Sequence, residues 1–137
     1  MYKIYSKQKN KKLLHIFHKF EIKKDRISLT PGNEYLQASV INFKNKEVVK
    51  SHHHLKHKIL NRKRPIQESW ILIKGLAKIY YYDASNKFIK SFIMKPGDVS
   101  ITLYGGHKLE ILKKNTTLYE YKTGPYEGNS KDLKYFT

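Results

Sequence analysis

Residues 51–57 read SHHHLKH and hold four of the seven histidines in a chain of 137 residues. Neutral imidazole is the commonest protein ligand for a transition metal, so a run of it points first to metal chemistry. In a strand, residues two apart share a face. His52 and His54 therefore project together, and His53 points the opposite way. Thirteen residues separate His54 from Glu68, which opens the run ESWILIKG ending at Gly75. A carboxylate directly ahead of an apolar run needs a cation beside it if it faces inward. Further on, PGDVSITLYGGH (96–107) carries a Pro-Gly turn, a strand-like run and His107 behind two glycines. His52, His54, Glu68 and His107 together make a set of N and O ligands. Such a set suits Mn, Fe, Zn, Co or Ni, with positions left over for water or substrate.

Other residues compete for these roles. A one-residue bulge in the strand would let His57 replace His52, whereas His53 is expected to face outward. His15 and His18 lie in an N-terminal run and are read as structural or exposed. The whole cluster also has two plainer readings, a solvated patch or one part of a basic nucleic-acid-binding face.

The elements that must position these residues are short. LQASVINF (36–43), EVVKSHHH (47–54), SWILIKG (69–75), LAKIYYYD (76–83), FIKSFIM (88–94), VSITLY (99–104), HKLEIL (107–112) and TLYEYK (117–122) are rich in Tyr, Ile, Phe and Val. Turn signals such as TPGN, DASNK, KPGD and KKNT lie between them. Turn chemistry about every 8–12 residues is the pattern of an all-β sandwich or barrel. LLHIFHKFEI (13–22) is read as a first strand. Residues 55–67, LKHKILNRKRPIQ, are read as a basic loop, and TGPYEGNSKDLKYFT after the last run as a loop-like tail whose Tyr126, Tyr135 and Phe136 could pack back on the sheet. No repeat or low-complexity linker divides the chain. A single domain is expected over residues 1–137, with a core barrel over 36–123, an N-terminal extension over 1–35 and a tail over 124–137.

Composition sets outer bounds. The chain has no cysteine, which excludes a disulfide framework, a thiolate metal site and a cysteine nucleophile. Net charge is +17, from 28 Lys+Arg against 11 Asp+Glu. Such a balance suits a polyanion partner. The lysines, however, are scattered along the whole chain, and neither a Gly-aromatic RNA motif nor a helix-turn-helix pattern is present. Nucleic acid therefore ranks second as a partner. No run approaches the ~18 apolar residues of a membrane span, and MYKIYSKQKNKK has no signal-like apolar run behind it. A cytoplasmic protein without a membrane partner is the default expectation.

The spacing His52-x-His54, then Glu68-x6-Gly75, followed by PGD and a GGH that ends on His107, resembles the two motifs of the cupin superfamily. The likeness spans roughly residues 36–123. It departs from the family pattern in three places: Asn45-Lys46 stands where a glycine usually precedes H-x-H, the interval before Glu68 is long, and Ile111 replaces the asparagine that often follows the second-motif histidine. What the resemblance implies is an antiparallel jelly-roll β-barrel whose three histidines and one glutamate bind a divalent metal inside the barrel. It also implies a tendency to form homodimers through a sheet edge or face.

Function follows less directly, because fold alone does not name a reaction. LYEYKTGPYEG (118–128) is similar to the end of the barrel in small cupins of sugar metabolism. Arg62, Lys63 and Arg64 lie in the segment expected to overhang the barrel mouth, where guanidinium groups suit a phosphate or carboxylate. The expected function is a metal-binding cupin that binds or transforms a small anionic metabolite, a phosphorylated or nucleotide-linked sugar of surface polysaccharide biosynthesis. As an enzyme it would be a metal-dependent isomerase or epimerase of a sugar derivative, a step the residues leave open. Arg62, Arg64, Tyr82 and Tyr104 are the expected substrate contacts, with Tyr80 also near the metal. Two alternatives stand beside this reading: a basic β-barrel that binds nucleic acid or another polyanion, and a metal-free cupin with a structural or regulatory role.

Overall fold

A computed structural model describes residues 1–7, 12–56 and 65–137. Its strands are β1 (Tyr2–Tyr5), β2 (Leu13–Phe17), β3 (Arg26–Ser28), β4 (Leu36–Phe43), β5 (Val48–His54), β6 (Glu68–Lys74), β7 (Ala77–Tyr82), β8 (Phe88–Met94), β9 (Val99–Thr102), β10 (Gly106–Ile111), β11 (Thr116–Thr123) and β12 (Leu133–Tyr135), with one short helix, α1 (Asn129–Asp132). Two five-stranded antiparallel sheets face each other in the orders β12-β5-β10-β7-β8 and β3-β4-β11-β6-β9. Neighbouring strands are mostly not consecutive in sequence, which gives the expected all-β jelly roll. No helix among the described residues is long and apolar enough to cross a membrane.

Alternation explains the core. In β6 the buried side chains are Glu68, Trp70 and Leu72, and in β10 His107, Leu109 and Ile111. One end of each strand is thus apolar and the other end carries the polar ligand-type groups. Leu72, Ile79, Leu109, Ile111 and Leu118 are almost fully enclosed between the sheets. At ~25 cal/mol per Å² of apolar surface removed from water, this layer stabilises the sandwich on which the polar end is mounted.

The eight runs read as strands from residue 36 onward all form strands. LLHIFHKFEI behaves differently. Only Leu13–Phe17 is extended, and it pairs with β1 in a separate two-stranded hairpin. Beyond Phe17 the chain is drawn off by Tyr119, whose hydroxyl lies 3.1 Å from His18 Nδ1 and whose ring lies 6.2 Å from that of Phe20. The segment read as a basic loop starts as a paired neck, since Lys56 bridges Pro65 and the Ile66 N–H donates to the Leu55 carbonyl at 3.0 Å. His57, Arg62, Lys63 and Arg64 lie outside the described residues. The tail read as loop-like forms α1 and β12, and β12 adds an edge strand directly beside β5.

Gly75, the last residue of the Glu68 motif, is fixed by two separate constraints. Its φ of +98° lies in the left-handed region, and a Cβ there would meet Thr116 Oγ1 at 2.1 Å. Thr116 cannot give way easily, because its hydroxyl donates to the Lys113 carbonyl at 2.6 Å and accepts from the Leu76 N–H at 3.2 Å. Gly75→Ala should therefore cost roughly 1–3 kcal/mol or more. Gly32→Ala should cost far less, since nothing lies within 4 Å of a Cβ at that position. Urea denaturation of the two variants checks this, and equal midpoints would contradict it.

Candidate metal centre

Three strands bring the four sequence-selected groups together. His52 and His54 point inward from β5, and His107 on β10 is the direct cross-strand partner of His52. Glu68, the first residue of β6, reaches across from the opposing sheet. All four side chains are buried, and one ligand atom from each lies within 4.8 Å of every other. His54 and His107 stand 5.1 Å apart between ring centroids, close enough to share one ion. His53 faces outward, where its Nε2–H donates to Asn86 Oδ1 at 2.6 Å and its ring packs against Phe136.

The ring nitrogens show what this arrangement can hold. His52 Nδ1–H donates to the Lys50 carbonyl at 2.7 Å, which leaves the Nε2 of the neutral ring as a lone pair. His107 Nδ1 lies 2.5 Å from the Thr102 hydroxyl, and its Nε2 faces His52 Nε2 at 2.9 Å. Glu68 Oε2 lies 3.1 Å from His107 Nε2 and 3.3 Å from His54 Nε2. Among the described residues, both ring nitrogens of His54 and Glu68 Oε2 have no partner of hydrogen-bond geometry. Lone pairs converging in a buried space need a proton or a cation between them. Three imidazoles and a carboxylate oxygen fit a divalent ion in number and in donor type. Thr102 and the Lys50 carbonyl occupy the outer positions that orient ligand imidazoles at metal sites.

Electrostatics point the same way. Burial, and then the neighbouring His107, push His52 down from 6.5 to about 4. It is therefore neutral at physiological pH, as a ligand must be. Burial opposes ionisation of Glu68, yet the adjacent His107 and His54 nitrogens hold its carboxyl below the usual carboxylate range.

His52 and Glu68 of the cluster line a cavity of about 390 Å³ that also reaches Arg26, Glu120, Lys122 and Tyr135. Sequence reasoning placed Glu120 and Lys122 only within a family-like stretch and gave no role to Arg26, Thr102 or Asp132. Cross-strand register is what brings them in: Lys122 pairs with Glu68, and Glu120 with Trp70. Arg26 Nη2 donates to Glu120 Oε1, and Lys122 Nζ lies 3.7 Å from the buried Asp132 carboxylate.

The expected tyrosine contacts do not line this cavity. In β7 the inward residues are Ala77, Ile79 and Tyr81, so Tyr80 and Tyr82 face out. Tyr82 packs on Phe136 and Phe88 at 5.1 and 6.0 Å, and the Tyr80 hydroxyl donates to Glu110. Tyr104 is 61% exposed in the turn ahead of Gly105. The inward tyrosine is Tyr81, which pairs with His107 across the strands and shares a 2.8 Å hydrogen bond with Ser100.

The depressed His52 value has a consequence for stability. An unfolded histidine takes up a proton near pH 6.5, whereas the folded one resists until about pH 4. In metal-free protein this contribution is complete above about pH 6.5 and is lost as pH falls toward 4. Urea unfolding of the metal-free chain between pH 4 and pH 7 should show that loss, and His52→Gln should flatten it. An unchanged pH slope in the variant would contradict the assignment.

No protein-family model matches the sequence, and no curated protein matches it. Solved structures do resemble it. The capsular polysaccharide assembling protein CapF from Staphylococcus aureus is 15% identical, with a TM-score of 0.65 over 90% of this chain, which spans about a third (32%) of CapF. KdgF from Halomonas sp. is 13% identical, with a TM-score of 0.59 over 82% of this chain and 91% of KdgF. A cupin superfamily protein from Desulfitobacterium hafniense DCB-2 is 15% identical, with a TM-score of 0.53 over 76% of this chain and 83% of that one. The buried His52, His54, Glu68 and His107 cluster is typical of a cupin metal site. This chain has the cupin fold, in the form of a small antiparallel jelly roll.

Proposed function

We propose that His52, His54, Glu68 and His107 hold a divalent ion, one of Mn, Fe, Zn, Co or Ni. In this reading the chain binds or transforms a small anionic metabolite, a phosphorylated or nucleotide-linked sugar of surface polysaccharide assembly. The observation that carries it is the convergence of four buried ligand atoms within 4.8 Å, two of whose residues, His52 and Glu68, line a ligand-sized cavity. The sugar class is supported by likeness of fold to CapF, whose description is that of a capsular polysaccharide assembling protein. Arg62 and Arg64, which the sequence places between β5 and β6, supply the contacts to an anionic group. A homodimer belongs to the same reading.

A bound ion would supply Lewis-acid polarisation of a carbonyl or hydroxyl oxygen. The chain's own groups do the rest. Thr102 and the Lys50 carbonyl fix the ring orientations of His107 and His52, and the Trp70 ring packs against those two imidazoles at 4.6 and 6.5 Å. Glu120, a carboxylate paired with Arg26, is the group suited to taking up a proton from a ligand hydroxyl in the cavity. Burial, and then the charge of Glu68, raise its carboxyl above the usual range, while Arg26 pulls in the opposite direction. An isomerase or epimerase would use such a group, and a binding protein would not.

Side-by-side His53→Ala and His54→Ala variants test the metal assignment. His54→Ala should lose most of its bound metal and the accompanying rise in melting temperature, because metal stabilises only the folded state. His53→Ala should keep its metal. It should lose a few degrees at most, from the Phe136 packing and the Asn86 hydrogen bond. Equal metal content in the two variants would leave the metal-free, structural cupin as the surviving reading.

A further inference from the structure

The cavity above the cluster has two unlike walls. The sheet that carries Glu68 presents two polar cross-strand rows, Gln37–Lys122–Glu68 and Ser28–Ser39–Glu120. The facing sheet presents the aliphatic side chains of Val49, Leu109 and Leu133 beside His52 and Tyr135, while Ile41, Phe43, Trp70 and Leu118 extend the first wall toward the core. The two cations of the polar wall are each paired with a carboxylate of the chain. Arg26 is paired with Glu120. Lys122 lies 3.7 Å from Asp132, whose side chain is 2% exposed and whose carboxylate oxygens have no hydrogen-bond donor among the described residues, so Lys122 is its compensation there. A cation already committed to a buried carboxylate has little attraction left for an anionic ligand.

Hydrogen-bonding capacity, by contrast, remains. A guanidinium carries five N–H donors, and a carboxylate about four acceptor sites. Among the described residues Arg26 uses Nη2 toward Glu120 and Ser39, and Glu120 accepts from Arg26 and, at 3.5 Å, from Trp70 Nε1. Donors and acceptors side by side, with both cations already paired and with aliphatic side chains opposite, match a ring that carries hydroxyls on one face and C–H groups on the other. At about 390 Å³ the space is near the lower end of ligand pockets, ~300–1,000 Å³, so a single ring suits it.

We infer that Arg26 and Glu120, with Ser39, form a subsite for a neutral polyhydroxylated ring, in which a vicinal diol bridges the guanidinium and the carboxylate. This rests on the metal-site reading above and deepens it: the neutral ring enters the cavity, and any anionic group of the ligand stays outside this wall. One hydroxyl of the diol donates to Glu120 and the other accepts from Arg26. The Val49–Leu109–Leu133 side contacts the C–H face of the ring.

The test uses the full chain with its metal content measured on every sample. The probes are methyl glycosides of common hexoses, their singly deoxygenated counterparts, and inorganic phosphate, followed by saturation-transfer NMR and competition titration. At least one methyl glycoside should bind, and removal of either diol hydroxyl should weaken it at least tenfold, because a site built for a hydroxyl rejects the analogue lacking it. Glu120→Gln should weaken the parent glycoside about tenfold or more at unchanged metal content. If that variant does not fold, the deoxygenated series and the milder Ser39→Ala carry the test, the latter with a severalfold loss. Metal-loaded protein that binds no methyl glycoside overturns the inference, as does glycoside binding that inorganic phosphate abolishes or that Ser39→Ala and Glu120→Gln leave unchanged. Absence of metal from the wild-type sample would instead remove the reading on which it rests.

Discussion

Three imidazoles and one carboxylate share a buried volume small enough for a single ion, and their lone pairs face one another. His52 Nε2 and His107 Nε2 stand 2.9 Å apart, and Glu68 Oε2 lies 3.1 Å from the second of them. Such a cluster is stable only if something positive lies between the groups. In the metal-free chain a shared proton must serve, and metal binding then becomes an exchange of protons for a divalent ion. This requirement for compensation links the site's stability, its response to pH and its chemistry.

The jelly roll meets the requirement by drawing ligands from strands far apart in sequence. His52 and His107 are adjacent because β5 and β10 pair in that register, and Glu68 and Thr102 are adjacent because β6 pairs with β9. The apolar ends of the same strands pack into the core, so the polar ends cannot separate without disturbing it. β12 closes the outer side of β5, with Leu133 opposite His54 and Tyr135 opposite His52. A Cβ on Gly106 would meet the Phe136 ring at 2.6 Å, which ties the last residues of the chain to the strand that bears His107. The tail is therefore part of the site's support.

Much of this was legible in the sequence, for identifiable reasons. Period-two alternation marks β6, β9 and β10 most clearly because one face of each is buried, and the H-x-H pair and the Glu68–Gly75 interval mark the ligand strands. The all-β class followed from the strand-like runs and their turn signals, and the jelly roll from the family resemblance that the ligand motifs carry. What alternation leaves open is register. LAKIYYYD contains three adjacent tyrosines, and only pairing with β10 shows that Tyr81 is the inward one, contrary to the choice of Tyr80 and Tyr82. β3 and β12 have three residues each, too short to show a period. Arg26 entered the cavity through its pairing with Glu120, 94 residues away in sequence. The pairing of Lys122 with Asp132 likewise depends on a tail whose composition reads as loop.

X-ray absorption spectroscopy of the metal-loaded chain probes the central claim most directly, because it reports ligand type and number at the ion itself. The geometry predicts three imidazole nitrogens and one carboxylate oxygen at about 2.0–2.2 Å, with the outer-shell scattering of imidazole rings, and room for water or substrate in addition. A spectrum with one imidazole or none, or an ion bound only by oxygen, would place the metal elsewhere and contradict the assignment of His52, His54, Glu68 and His107.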